Sequence, residues 1–383
     1  MRLIPHRLTA SQFVVLACWT LASPVVHAQA KPVWPQWDDF AARFMQADGR
    51  VVDITFDRKS TSEGQSYALF LALVANRRQQ FDLILTWTSD NLADGQLGNR
   101  LPAWLWGLRE DGSWGVKDQN AASDADLWIA YSLFEAARLW KSPGYARTAH
   151  QLLALIRSSE IADSGRAGPV LLPAPVGFKL DGDRYRIDPS YLPGFMFRYF
   201  AGIDPKGPWQ SVWDAYIRMA PKVFSKGIAP DLYVVDAAGT VSPDSEREPS
   251  GSYDAIRVYL WAGMSGPTDA ALITLLEPYG DLVRKRGTPP EKVNPVTGLA
   301  IVSDYSPIGY SGALLPFLHA TGGKATLERQ LERIRKDAAN PAHAKVSNYF
   351  DQVLILFGKG WLDGHYRFDE LGRLHPRWSS GPS

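Results

Sequence analysis

Three acidic residues in this sequence stand where a helix begins, each among small residues with an apolar run behind it. Glu63 lies in Thr61-Ser62-Glu63-Gly64-Gln65-Ser66-Tyr67-Ala68 and Asp124 in Ala121-Ala122-Ser123-Asp124-Ala125-Asp126-Leu127-Trp128. Asp254 lies in Gly251-Ser252-Tyr253-Asp254-Ala255-Ile256-Arg257, with Arg257 one helical turn further on. Taken singly, each has an ordinary explanation. A glutamate in the first turn of a helix stabilises it by ~0.3–1 kcal/mol through the dipole. Asp124 with Asp126 reads equally as capping or as a cation site, and an exposed i,i+3 pair such as Asp254 and Arg257 contributes little. Taken together, they suit acetal hydrolysis, which needs one protonated carboxyl for the leaving oxygen and one carboxylate for water or the anomeric carbon.

The elements that must position these residues are mostly helical. Apolar residues recur with helical period over 63–76, 78–92, 124–140, 145–158, 191–201, 209–223, 253–264, 269–285, 309–321, 325–337 and 347–358, after a first helix from about Pro35 to Gln46. Residues 51–60 alternate and predict a short strand. Ser62 with Gln65 makes a capping box, and Ser123, Ser190, Ser252, Ser306-Pro307 and Ser347 open other helices. The first four starts recur at about 60 residues, roughly one helical hairpin plus a long loop. Leu127 to Phe134, Tyr67 to Leu73 and Val353 to Phe357 are apolar all round, as inner helices must be. Leu327 to Asp337 is heavily charged and reads as a solvated outer helix. The expected architecture is all-α: six helical hairpins closed into an (α/α)6 barrel, with minor short strands. An irregular helical protein with no closed ring has the same periodicity. In the ring, inner helices run in one sense, so Glu63, Asp124 and Asp254 would meet on one face.

Composition removes other classes. The seven histidines include no pair at metal-binding helical spacing, and there is no Gly-x-Ser-x-Gly elbow or phosphate loop. No metal site is expected. Residues 1–28 read as a cleaved secretory signal, with Arg2 and Arg7 before an apolar stretch from Phe13 to about Val26 and a cleavage site after Ala28. That stretch is interrupted and short for a span of ~20 residues, so no stable membrane insertion is expected after cleavage. Cleavage removes the single cysteine and two of 41 basic residues, against 40 acidic ones, and leaves a near-neutral chain. Neither nucleic acid nor an anionic membrane is an expected partner. Residues 29–383 are expected to form a single catalytic domain, periplasmic or secreted. Fourteen Trp, 15 Tyr and 16 Phe are a heavy aromatic load, and Trp104, Trp106, Trp114 and Tyr191 sit beside Gly, Asp and Asn, as rings of a sugar cleft would.

At these residues the chain resembles glycoside hydrolase family 8. Ser123-Asp124-Ala125-Asp126 leading into Ile129-Ala130 and on to Trp140 is similar to the family signature, and Ser62-Glu63-Gly64-Gln65-Ser66-Tyr67 to its other diagnostic segment. The likeness spans about residues 35–360 and is nearest to the periplasmic members of bacterial cellulose synthase operons. It implies an (α/α)6 barrel and inverting, cofactor-free hydrolysis of β-1,4-glucan, with a cellulose synthase complex as a further partner. It maps the proton donor onto Glu63, the general base onto Asp254, the sugar- and water-holding aspartate onto Asp124, and water orientation onto Arg257. Tyr191 and Tyr349 match aromatic positions near the cleft, with Trp104 and Trp106 as further rings, while Asp126 reads as structural. Three carboxylates also permit retaining chemistry. The family includes chitosanases, lichenases and xylanases, so chitosan, mixed-linkage glucan and xylan are alternative polymers. A non-catalytic glucan-binding protein of a secretion complex is the alternative of another class. One difficulty follows: a helix N-terminus lowers a carboxyl pKa, whereas a proton donor needs it raised. Glu63 keeps its proton only if desolvation and its acidic neighbours outweigh the dipole.

Overall fold

The computed structural model describes Met1 and residues 34–301, 305–340 and 348–379. The expected signal segment and Ser347 lie outside the described residues. The helices are α1 (Pro35–Phe44), α2 (Ser62–Val74), α3 (Arg78–Leu92), α4 (Ser123–Leu139), α5 (Pro143–Ser159), α6 (Gly194–Ile203), α7 (Trp209–Val223), α8 (Ile256–Ser265), α9 (Ala270–Arg286), α10 (Ile308–Ala313), α11 (Leu315–Ala320), α12 (Lys324–Ala338) and α13 (Tyr349–Leu362). Even-numbered α2 to α8, then α10 with α11, then α13 pack side by side, and α13 returns to α2, so the inner ring closes. The molecule is an (α/α)6 barrel. Its sixth pair joins the two ends of the described chain, because α1 packs on α13 as that helix's outer partner.

Burial follows the residue patterns. Every residue of α2 from Gly64 to Val74 is buried, and so is every residue of α4 from Ser123 to Ala136. Outer helices bury one stripe: Ala149, Leu152, Leu153 and Ile156 in α5, and Thr326, Leu327, Gln330 and Ile334 in α12. The barrel's centre is filled by rings: Phe70, Trp128, Phe195, Trp261 and Phe357, from five inner helices, pack edge to face, tilted or stacked at 4.8–5.9 Å. Such pairs contribute ~0.5–1.5 kcal/mol each beyond the area they bury.

Four expectations need correction. Residues 51–60 are not a strand: isolated bridges join Met45 to Val51 and Asp53 to Lys59, with turns between. Asp57 and Arg58 both take positive φ, which reverses the chain there. In this stretch the chain becomes a strand only at its end, Ser60–Thr61 (β1), which pairs with Leu105–Leu108 (β2), itself paired with Trp114–Asp118 (β3). The capping box is displaced by one residue. Thr61 caps α2 by accepting the Gly64 amide (3.1 Å), while the Gln65 side chain turns inward to the Val51 amide (2.6 Å). The helix expected over 309–321 breaks between α10 and α11, since Pro316 has no N–H to continue the ladder. The starts at Ser190 and Ser252 move to Gly194 and Ile256, after a 3₁₀ turn at Pro189–Tyr191 and a set of turns at 252–255.

The α10–α13 contact depends on glycines. A Cβ on Gly358 would lie 1.8 Å from the Gly312 carbonyl oxygen. Gly358→Ala is therefore expected to destabilise the fold by ~1–3 kcal/mol, the range for overpacking. Urea unfolding would measure it, and an unchanged midpoint would show that the two helices part freely.

Candidate active site

Glu63 is in the first turn of α2, Asp124 in the first turn of α4, and Asp254 in the turn just before α8. One side chain joins the two aspartates. Arg257 Nη1 donates to Asp124 Oδ2 (2.8 Å) and to the Tyr67 hydroxyl (2.7 Å), and Nη2 donates to Asp254 Oδ1 (2.8 Å). Tyr67 in turn donates to Asp124 Oδ2 (3.1 Å), and the Ala125 amide donates to Asp124 Oδ1 (2.8 Å). Arg257 and Asp124 are 4% and 3% exposed, so their pair is taken out of water, whereas Asp254 keeps 48% of its side chain open and its ion pair is screened. The Asp254–Arg257 pair expected from spacing alone is thus the open arm of a bridge whose other arm, to Asp124, is buried.

Glu63 accepts a long hydrogen bond from Ser62 Oγ (3.3 Å). Burial first, and then the charge of Asp124, push its carboxyl up to about 8, against its own helix backbone and Arg257. Desolvation and acidic neighbours therefore outweigh the dipole, and Glu63 holds its proton at neutral pH. Burial also raises Asp124 and Asp254, but Arg257 is the largest opposing influence on both. The cluster accordingly contains one carboxyl disposed to give a proton and two held toward ionisation by a shared cation.

The aromatic candidates divide. Tyr191 lies against the cluster, its ring centroid 5.4 Å from the Arg257 guanidinium carbon. Tyr349 and Trp104 line a recess with Thr61 and Gly64, next to Glu63, and the Glu63 charge helps raise the Tyr349 hydroxyl pKa after burial does. Trp106 stands apart from that recess. Its ring stacks on Trp114 (5.3 Å) with the Arg50 guanidinium 4.2 Å from its centroid, while Trp114 is 45% exposed.

Sequence reasoning gives no role to Tyr67, Asp188 or Glu160 and reads Asp126 as structural. Tyr67 lies in the Glu63 segment, and only the fold brings it to Asp124. Asp188 is buried and caps the 3₁₀ turn by accepting the Ser190 amide (2.8 Å), while burial and the Asp254 charge raise its pKa. Asp126 and Glu160 are fully buried against each other, and burial drives both carboxyls well above the usual range. Their four oxygens have no hydrogen-bond partner among the described residues, and burial together with the neighbouring acid favours the protonated form of each. Nothing in the residues around Glu160 signals this.

A closed helical ring with a protonated carboxyl and two arginine-held aspartates at one end of its inner helices defines the class: a glycoside hydrolase. More narrowly, the chain belongs to glycosyl hydrolases family 8, whose model matches residues 12–364. It is 45% identical over 381 residues to an endoglucanase of Xanthomonas axonopodis pv. citri (strain 306), covering 98% of this chain and 97% of that one. It is 40% identical over 354 residues to an endoglucanase of Escherichia coli (strain K12), covering 91% and 93%. The crystal structure of endo-1,4-D-glucanase from Vibrio fischeri ES114 superposes with a TM-score of 0.85 at 37% identity, over 91% of this chain and 100% of that one.

Proposed function

We propose that the protein is an endo-acting β-1,4-glucanase that hydrolyses its polymer with inversion, with Glu63 as proton donor and Asp254 as general base. The observation that carries this reading is the unequal state of the carboxyls: Glu63 retains its proton while Asp124 and Asp254 share Arg257. Glu63 gives its proton to the glycosidic oxygen as the bond to the anomeric carbon lengthens. A water on the opposite face of the ring attacks that carbon and passes a proton to Asp254, which is half open to solvent. Asp124, held on three sides, binds the sugar hydroxyls and the attacking water. Arg257 sets the directions of both aspartates. Tyr349 and Trp104 stack sugar rings beside the donor, Tyr191 closes the cluster over Arg257, and Trp106 supports the exposed ring of Trp114 further along.

The substrate assignment draws on the relatives, which are named endoglucanases, and on the Vibrio protein, named an endo-1,4-D-glucanase. Export follows from the segment ending at Ala28, which leaves residues 29–383 as one catalytic domain in the periplasm or outside the cell. No helix among the described residues is long and apolar enough to cross a membrane. We place its work in bacterial cellulose synthesis, on glucan chains delivered by a synthase complex.

Proton NMR of products from a soluble cello-oligosaccharide tests the mechanism. The α-anomer is expected to form first. A β-anomer would overturn inversion and make Asp124 the group that attacks carbon. Rapid viscosity loss on carboxymethylcellulose, without comparable action on chitosan, xylan or mixed-linkage glucan, is the expected substrate profile.

A further inference from the structure

The general base proposed above is not inside a helix. Asp254 belongs to the turns at 252–255, between a bridge at Gly251 and the first residue of α8. Such a segment has amides that no helical ladder satisfies. A carboxylate from elsewhere in the chain satisfies them. Asp231, in the connection between α7 and the strand Tyr233–Asp236, accepts four hydrogen bonds from the segment that carries Asp254. Its Oδ1 takes the amides of Ser252 (2.7 Å) and Ala255 (3.0 Å), and its Oδ2 takes the hydroxyls of Ser250 (2.8 Å) and Ser252 (2.7 Å). The Asp231 amide closes the arrangement by donating to the Ser250 carbonyl (2.7 Å). On the other side, Gly251 exchanges two backbone hydrogen bonds with Val293 (2.8 and 3.0 Å), and a Cβ on Gly251 would lie 2.1 Å from the Ala229 carbonyl oxygen. Asp254 is thus flanked on both sides by residues whose amides end on one carboxylate.

We propose that Asp231 is a positioning residue for hydrolysis, holding Ser250–Ala255 so that the Asp254 carboxylate stands where water is activated. The proposal rests on the reading of Asp254 as the general base. A base must come within ~2.6–3.2 Å of the proton it takes, and a displacement of about 1 Å can reduce turnover by about 10²-fold. Arg257 holds one Asp254 oxygen and reaches across to Asp124 and Tyr67, but it grips only the side chain of Asp254. Asp231 grips the backbone on both sides of Asp254, from a different connection of the chain.

Its charge has a second effect. Arg257 on its own helix, Asp231, Asp124 on α4 and Asp188 on the 3₁₀ turn act on Asp254, with Glu63 of α2 in the same coupled cluster. Asp244, Arg247 and Glu248 line the polar recess that opens beside it. Among these influences, the Asp231 charge raises the basicity of Asp254. Removing that charge shifts the acidic limb of the pH–rate profile to lower pH, a change that a purely structural residue would not produce.

Asp231→Ala and Asp231→Asn are the test, beside Asp254→Asn. An asparagine can keep its carbonyl toward the two amides and offer its NH₂ to the serine hydroxyls, which are able to rotate and accept. Asp231→Ala is expected to lower kcat by about 10²-fold with KM changed by less than about threefold. Asp231→Asn is expected to recover most of kcat and to keep the downward shift of the acidic limb. Should Asp231→Ala fail to fold, the Asn variant decides alone: a moved limb supports the proposal and an unmoved one overturns it. Wild-type kcat and an unmoved limb in folded Asp231 variants, with Asp254→Asn inactive, would overturn the positioning role and leave the base in place. Raised KM at unchanged kcat would overturn it as well. Asp254→Asn turning over at the wild-type rate would overturn the base assignment, and this inference with it.

Discussion

Glu63→Gln is expected to lower kcat on soluble β-1,4-glucan by about 10³-fold, the middle of the range for losing a general acid, and at the same time to make the protein more stable above neutral pH. Both effects have one cause. The carboxyl binds its proton more tightly in the folded chain, at about 8, than in the unfolded chain, at about 4.5. A raised carboxyl pKa contributes stability that is complete below the unfolded value and is lost as pH rises through the folded one. A glutamine has no proton to lose. The variant and the wild type should therefore unfold alike near pH ~4.5, and at pH ~9 the variant should be more stable by roughly 2–4 kcal/mol. Calorimetry at the two pH values measures this directly. The wild-type rate should also fall on an alkaline limb near about 8 as the donor ionises, and the residual activity of the variant should lack that limb. A variant that retains the alkaline limb would assign the donor to another group.

Arg257→Met is the second large effect. It leaves Asp124 buried at 3% exposure with the Tyr67 hydroxyl and the Ala125 amide as remaining partners and no cation. Removing one partner of a buried ion pair costs ~3–5 kcal/mol, mostly because the other charge is stranded. The contribution of Asp254 is left out of this figure, since its half-open side chain can rehydrate. Urea unfolding of Arg257→Met, Asp124→Leu and the double variant would separate the pair from the packing. The double variant is expected to regain most of the loss of the single arginine variant, because no stranded charge remains. If it is as unstable as the sum of the two, the guanidinium acts by packing alone. Activity should be lost in all three.

The helices and the three carboxylates were legible because their signals are local. An apolar run with 3.6-residue spacing and an acid at its start are written in ten or fifteen consecutive residues. What joins the carboxylates was not legible. The hydroxyl of Tyr67 and the guanidinium of Arg257 are 190 positions apart, and Asp124 is 133 positions from that arginine. Nothing in either neighbourhood records that they meet. The same distance hid Asp231, whose four hydrogen bonds reach 19 to 24 positions forward into a segment that reads as a plain helix start. The errors were local ones. Ser62 looked like a cap because Thr61 beside it has the same chemistry. Residues 51–60 alternate like a strand but turn back at Asp57, a type that tolerates a left-handed backbone, and Arg58, a type that gives little warning of one. The family likeness supplied roles for Glu63 and Asp254, whereas the physical reason that Glu63 keeps its proton came from the surrounding burial and charge.

The closure of the barrel by α1 against α13 has a consequence for how the molecule reaches its native state. Five of the hairpins join neighbours in sequence and can form as soon as their residues are available. The sixth joins residues 35–44 to residues 349–362, across nearly the whole described chain, so its loop closure costs more entropy than that of any sequential hairpin and comes late. Until then α13 has no outer cover, and the flanks of α2 and α13 that meet in the finished ring remain open. Completion of the barrel therefore waits on the contact of α1 with α13, and the unfinished ring, with its apolar flanks open, is the aggregation-prone species that precedes it.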